Sequence, residues 1–106
     1  MAFIPQTFSA AGSQITVTDT ATSLKSLIKT ADTALSDGLF DNVNYIILQA
    51  EDGDIRYSST ITPTTTVGQQ LLQGQTVQLN ANPSLLKLIR DGGANVKVNV
   101  EIALNY

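Results

Sequence analysis

The chain contains no cysteine and no histidine. Without cysteine there is neither a disulfide framework nor a zinc–thiolate site, so a small domain must hold itself together through its core or through assembly with partners. Without histidine the commonest general base and transition-metal ligand is missing. A serine nucleophile would then need a lysine or an amino-terminal amine as its base. Glycosidase chemistry needs two carboxylates facing each other across a cleft. The nine acidic residues fall mainly in turn-like stretches, and the sequence does not pair them. The expectation is a protein with neither enzymatic activity nor a cofactor.

Charge is scarce as well. Charged residues make up 14% of the chain, against roughly a quarter in ordinary globular proteins, and Thr, Ser, Asn and Gln fill the shortfall. The basic residues Lys25, Lys29, Arg56, Lys87, Arg90 and Lys97 are scattered, and the net charge is −3. There is thus no basic footprint to displace counterions from phosphates, and direct binding of nucleic acid is not expected. No run approaches the ~20 apolar residues of a membrane-spanning helix. The opening MAFIPQTFSAAGSQ lacks the basic residues and long apolar stretch of a secretory leader. Synthesis in the cytoplasm, with no membrane partner, is the expectation. A hydrophobic content of 42% is too high for disorder, and the length suits one domain with one core.

What is present is mostly β-pattern. In ANVKVNVEIALNY, Val96, Val98, Val100, Ile102 and Leu104 alternate with Asn95, Lys97, Asn99, Glu101 and Ala103, the period of two that marks a strand with one buried face. The preceding DGG, residues 91–93, reads as a tight hairpin turn needing positive φ, with Leu86, Leu88 and Ile89 on the partner strand after Pro83. NVNYIILQA (42–50) reads as a central strand buried on both faces. EDGD (51–54) then turns the chain, with Asp52-Gly53 as a type I′ signal, and IRYSSTI (55–61) returns as the second strand of a hairpin. GQTVQLNA (74–81) and SQITVTD (13–19) supply further short strands. Leu24, Leu27, Ile28, Ala31 and Leu35 break the pattern by falling at helical spacing, with Thr22 or Ser23 as cap and Gly38 as terminator; a loop with two short strand-like turns is the other reading. The fold class expected is all-β, an antiparallel β-sandwich or jelly-roll-like barrel with one possible short helix. Residues 13–106 form the single domain, and residues 1–12 are either an edge strand or an arm that orders on a neighbour.

Few groups in this pattern are candidates for chemistry. Glu51, Asp52 and Asp54 around Gly53 are hard oxygen ligands of the kind calcium uses, but the spacing of a calcium-binding helical hand is missing, and the preferred reading is a solvated turn, where Asp and Gly are favoured for backbone reasons. Gly68 and Gly74 have no following Lys-Ser/Thr and read as backbone bends, not as a phosphate loop. Thr64, Thr65 and Thr66 are either a hydroxyl ladder for sugar or extended backbone in a loop. Tyr57, beside Arg56, is either core or edge packing or a ring on which a sugar stacks.

From DIRYSSTITPTTTVGQQLLQGQTVQL to SLLKLIRDGGANVKVNVEIAL, the chain resembles small virion proteins encoded among the structural genes of tailed bacteriophages. Ile55, Arg56 and Tyr57, then Pro63-Thr64, Gly68, Leu71 or Leu72, Gly74, Leu88-Ile89, Gly92 and the strand from Val96 to Val100 carry the likeness, over residues 43–104. Thr60-Ile61-Thr62 stands where those proteins have Asp-Gly, and residues 23–35 have no counterpart in them. The resemblance implies a virion structural protein made in the host cytoplasm. Its expected role is to decorate and cement the capsid surface by binding the major capsid protein, with self-association as a small cyclic oligomer. The alternative is a carbohydrate- or receptor-binding module of a tail or fibre, which would show exposed aromatics with Asn, Asp and Gln converging on one end of the sandwich. The residues expected to contact the partner are Phe3, Ile4 and Phe8, with Thr62, Pro63, Thr64, Thr65, Thr66, Gln69 and Gln70 on a loop whose neutral polar groups cost less to desolvate than charges.

Overall fold

The computed structural model describes residues 6–31 and 37–104. Eight strands alternate between two antiparallel sheets: β1 (Gln6–Val17), β2 (Thr22–Ser23), β3 (Val43–Ala50), β4 (Ile55–Ser58), β5 (Gln69–Leu71), β6 (Thr76–Leu79), β7 (Lys87–Arg90) and β8 (Val96–Leu104). One sheet has the order β1-β8-β3-β6 and the other β2-β7-β4-β5. The pairs β1·β8, β2·β7, β3·β6 and β4·β5 nest inside one another. The chain is therefore one long antiparallel hairpin, with its tip between β4 and β5, curled so that successive pairs fall in alternate sheets. That is the jelly-roll arrangement of an all-β sandwich.

This topology corrects both expected hairpins. The strand before residues 91–93 does not pair with the strand after them, because β7 joins β2 and β4 while β8 joins β1 and β3. Residues 51–54 likewise carry the chain from β3 in one sheet to β4 in the other. Both turns are corners between layers, where the tight mirror-image turn that closes a flat ribbon is not required. Positive φ occurs at Gly68 and Gly74, and not at Gly53, Gly92 or Gly93. At Gly53 the need for glycine is close approach: an added Cβ would lie 2.8 Å from Val96 Cγ2.

The core follows from the period of two. Val96, Val98, Val100 and Ile102 of β8 face Ile46, Leu48 and Ala50 of β3, Ile15 and Val17 of β1, and Ile55 and Leu88 of the opposite sheet, all buried. Burial of each large side chain stabilises by roughly 1.5–3 kcal/mol. Ala103, expected on the wet face of β8, is buried too. The strand β3 is central in its sheet, but its burial is one-sided: Ile47 is half-buried and Gln49 exposed. Its outer row carries no second layer, so it alternates where a doubly covered strand would not.

Helix α1 (Leu24–Ala31) follows β2 directly. Ser23 caps it, its Oγ accepting the Ser26 N–H at 3.2 Å, the geometry that satisfies one of the free first-turn amides. Two more find carbonyls in the β6–β7 connection: Leu24 N–H donates to Leu86 O and Lys25 N–H to Pro83 O. Leu24 and Ile28 are buried beneath the helix, whereas Ala31 is exposed. Leu35 lies outside the described residues, and Gly38 sits in a short 3-10 turn, Asp37–Asn42, that leads into β3.

Replacing Gly53 by Ala should force Val96 out of its place on β8. We expect Gly53→Ala to destabilise the fold by about 1–3 kcal/mol, as overpacking does, in urea unfolding, and Gly92→Ala, with open space around it, to leave the midpoint within error.

Candidate functional site

Six of the seven inter-strand connections run between the sheets, and the exception is the hairpin β4–β5 at the tip of the long ribbon. Its connection, residues 59–68, shares one end of the sandwich with the β6–β7 connection, residues 80–86. A hollow of about 310 Å³ lies between the β6–β7 connection and Phe40, Asp41, Val43 and Asn44, and two more are lined by both connections. One, of about 430 Å³, is bordered by Tyr57, Ser59, Gln69, Leu79, Asn80 and Leu86 among others. The other, of about 210 Å³, lies among Ser59, Thr60, Ile61, Thr62, Ser84, Leu85 and Lys87. Ser59 and Thr60 belong to both and form the ridge between them.

The β4–β5 loop is shaped by its own hydroxyls. Ser58 Oγ accepts the N–H groups of Thr60 and Ile61, both at 3.2 Å. Thr64 Oγ1 accepts those of Thr66 at 3.2 Å and Val67 at 3.0 Å. Such side-chain acceptors stand in for the backbone partners that a loop lacks. Thr64 and Val67 also exchange backbone bonds, closing a two-residue tip at Thr65-Thr66. Arg56 ties the loop down: Nε donates to Thr65 O and Nη1 to Gly68 O, each at 3.1 Å, while Nε lies 3.3 Å from Asp91 Oδ2. Gly68 has φ +118°, and a Cβ there would stand 3.1 Å from both Pro63 Cβ and Tyr57 O.

Of the residues expected to make contact, Thr62, Thr64, Thr65, Thr66, Gln69 and Gln70 are exposed. Pro63 is not: it is buried against the Gly68 backbone, and its role is to hold the loop from within. The Thr64 hydroxyl oxygen accepts from the loop's amides and lies 3.4 Å from the Thr66 hydroxyl. Gln70 donates to Asp91 Oδ2 at 2.8 Å. Phe8 lies in β1, opposite Ile102, and Phe3 and Ile4 fall outside the described residues. Among the described residues four large aliphatic side chains are exposed, Ile61, Val67, Leu72 and Leu85, and the two most exposed, Ile61 at 53% and Leu85 at 60%, border the smaller hollow. Leu85 was within reach of the sequence, since the alternation that puts Leu86 and Leu88 inside turns Leu85 out; Ile61 was assigned to a strand that in fact ends at Ser58.

The acidic turn is occupied with structure. Glu51 Oε2 accepts from Gln14 Nε2 at 2.8 Å, Asp52 Oδ1 from the Lys97 N–H at 2.7 Å, and Asp54 Oδ1 from the Gln73 N–H at 2.7 Å. The three carboxylates thus point to three different segments, and no group of three or more acidic side chains among the described residues is placed to hold a metal ion. Tyr57 is half-buried at the core's edge, and burial raises its hydroxyl pKa above the ordinary value. No family model, curated protein or solved structure matches the chain.

Thr64→Val removes the acceptor for two amides and should cost about 1 kcal/mol of local order, seen as roughly fivefold faster hydrogen exchange at Thr66 and Val67. Thr64→Asp, which keeps an acceptor at that place, should restore slow exchange. For Tyr57 the raised pKa means that its neutral form favours the folded state. That contribution is complete below the ordinary tyrosine pKa of about 10 and is lost as pH rises through the higher folded value. A spectrophotometric titration should therefore lose a component ionising above about pH 10 when Tyr57 is changed to Phe.

Proposed function

We propose that the chain is a non-enzymatic structural protein of a bacteriophage virion, sited on the capsid surface, where it binds the lattice of the major capsid protein and cements it. The observation that carries this reading is the hollow between Ile61 and Leu85. Two large aliphatic side chains stand exposed on either side of Ser59, Thr60, Thr62 and Ser84, with Lys87 as the one charged residue of the lining. Covering such a surface removes apolar area from water and desolvates few charges. The loop that carries Ile61 is already held by Ser58, Thr64 and Arg56, so little conformational entropy remains to be lost on docking. Each copy would bind modestly, and repetition across a lattice, together with self-association as a small cyclic oligomer, multiplies the effect.

The resemblance over residues 43–104 supports the same reading, and so does a surface poor in charge. Jelly rolls serve in capsids, lectins and cupins alike, so the fold alone lends the proposal little.

The test compares capsids with and without the protein on heating and osmotic shock. Coated capsids should survive to a higher temperature. The pair Ile61→Asp and Leu85→Asp should weaken binding at least about thirtyfold, from the loss of two apolar contacts of about 1 kcal/mol or more each, while the isolated variant melts like the parent because both sites are exposed. If coated and bare capsids fail together while particles lose adsorption to their host, the receptor-binding reading takes its place.

A further inference from the structure

The larger hollow at the loop end is a different kind of surface. It opens where the two sheets part, between the edge strands β5 and β6, and is walled by one residue from each and by β4. Leu79, Ala81 and the half-buried Tyr57 pack on the core from its inner side, over buried Leu86. Its rim is made of Ser58, Ser59, Thr60, Gln69 and Asn80. The hydroxyls of Ser58 and Thr60 are engaged in shaping the loop. Ser59, Gln69 and Asn80 are exposed, and among the described residues neither their side chains nor the Tyr57 hydroxyl has a hydrogen-bond partner. No charged side chain lines it.

We propose that this hollow is a binding site for a neutral saccharide of one or two rings. An aromatic ring beside aliphatic side chains suits the apolar face of a pyranose, and amides and hydroxyls on the rim suit its equatorial oxygens, each able to donate and accept. The absence of charge in the lining disfavours sugar acids and phosphosugars, whose desolvated anions would find no counter-ion. A volume of about 430 Å³ lies at the lower end of the range of roughly 300–1,000 Å³ for small-molecule sites, which limits the ligand to a short saccharide or the end of a longer one. The ridge Ser59-Thr60 is held by Ser58, so the rim is built before the ligand arrives. The site meets the Ile61–Leu85 hollow only at Ser59 and Thr60, and the inference does not rest on the capsid reading.

The experiment uses the isolated full chain, labelled for amide correlation spectra. It is titrated with glucose, galactose, mannose, N-acetylglucosamine and N-acetylgalactosamine and their disaccharides, with glucuronic and sialic acids as charged controls. At least one neutral sugar should give saturable shifts at Ser59, Gln69 and Asn80, with an affinity in the roughly millimolar range expected of a few neutral contacts. The double variant Gln69→Ala/Asn80→Ala should bind that sugar about tenfold more weakly while melting like the parent, both residues being exposed. Tyr57→Leu, which keeps apolar volume but loses the ring, should weaken it too; Thr66→Ala should not. The proposal is overturned if no neutral sugar shifts these amides, if the charged sugars bind as well as the neutral ones, or if the double variant binds unchanged. It is equally overturned if capsid protein, and no sugar, protects the same amides, since the hollow is then a protein contact.

Discussion

The corner at residues 51–54 is the constraint on which the sandwich depends. A jelly roll must carry its chain from sheet to sheet at almost every connection, and each crossing exposes backbone groups that no ladder can satisfy. Here the side chains of one four-residue corner supply the missing acceptors. Asp52 takes the Lys97 amide at the start of β8, Asp54 takes the Gln73 amide in the β5–β6 turn, and Glu51 takes the Gln14 side chain on β1. The Asp54 carbonyl also accepts the Asp91 N–H, so that the second corner is tied to the first. Charge-assisted bonds of this kind are the stronger sort, and they gather four segments at one end of the molecule. Gly53 completes the device by letting Val96 approach more closely than a side chain would allow.

The β4–β5 loop is organised on another principle. There the acceptors are hydroxyls bonding within their own loop, and Arg56 is the clamp. Several of the few charges in the chain are thus consumed internally: Arg56 with Asp91, Arg90 with Asn95, and the carboxylates of the acidic corner. What faces outward at the loop end is chiefly threonine, serine, amide and aliphatic carbon. Such a surface offers contact area and hydrogen-bonding valence without a strong field to steer association.

Most elements of this fold are legible in the sequence, the short strands β2 and β5 excepted, and their pairing is not. Alternation placed β8 and its four inward side chains correctly, because one wet and one dry face leave an unambiguous mark at period two. Helical spacing and Ser23 placed α1. The hairpins failed for a physical reason: Asp-Gly and Asp-Gly-Gly report that the chain bends, and bending within a sheet or between sheets draws on the same residues. Which occurs is decided by partners far along the chain, such as β8 lying between β1 and β3. The doubly buried reading of β3 failed because Tyr45 and Ile47 look like core and are only half covered. At the loop end, Thr64–Thr66 stand out in the sequence as a hydroxyl cluster, yet the hollows are bordered by Tyr57, Asn80 and Leu85, which come from separate strands and connections and meet only through the topology.

The nesting of the strand pairs also orders events in time. The hairpin β4–β5 joins near neighbours, Tyr57 opposite Gln69, whereas β1 and β8 bring Gln6 opposite Leu104. Loop-closure entropy makes the inner pair the cheapest to form first, and each pair formed shortens the loop that the next must close. Loop closure therefore favours folding from the tip outward, an order in which β1, although early in the sequence, would be among the last strands to find its place. Until β8 arrives, its twelve residues present an unpaired edge to any other extended chain, so the interval between making β1 and making β8 is when the protein is most exposed to mispairing with its own copies.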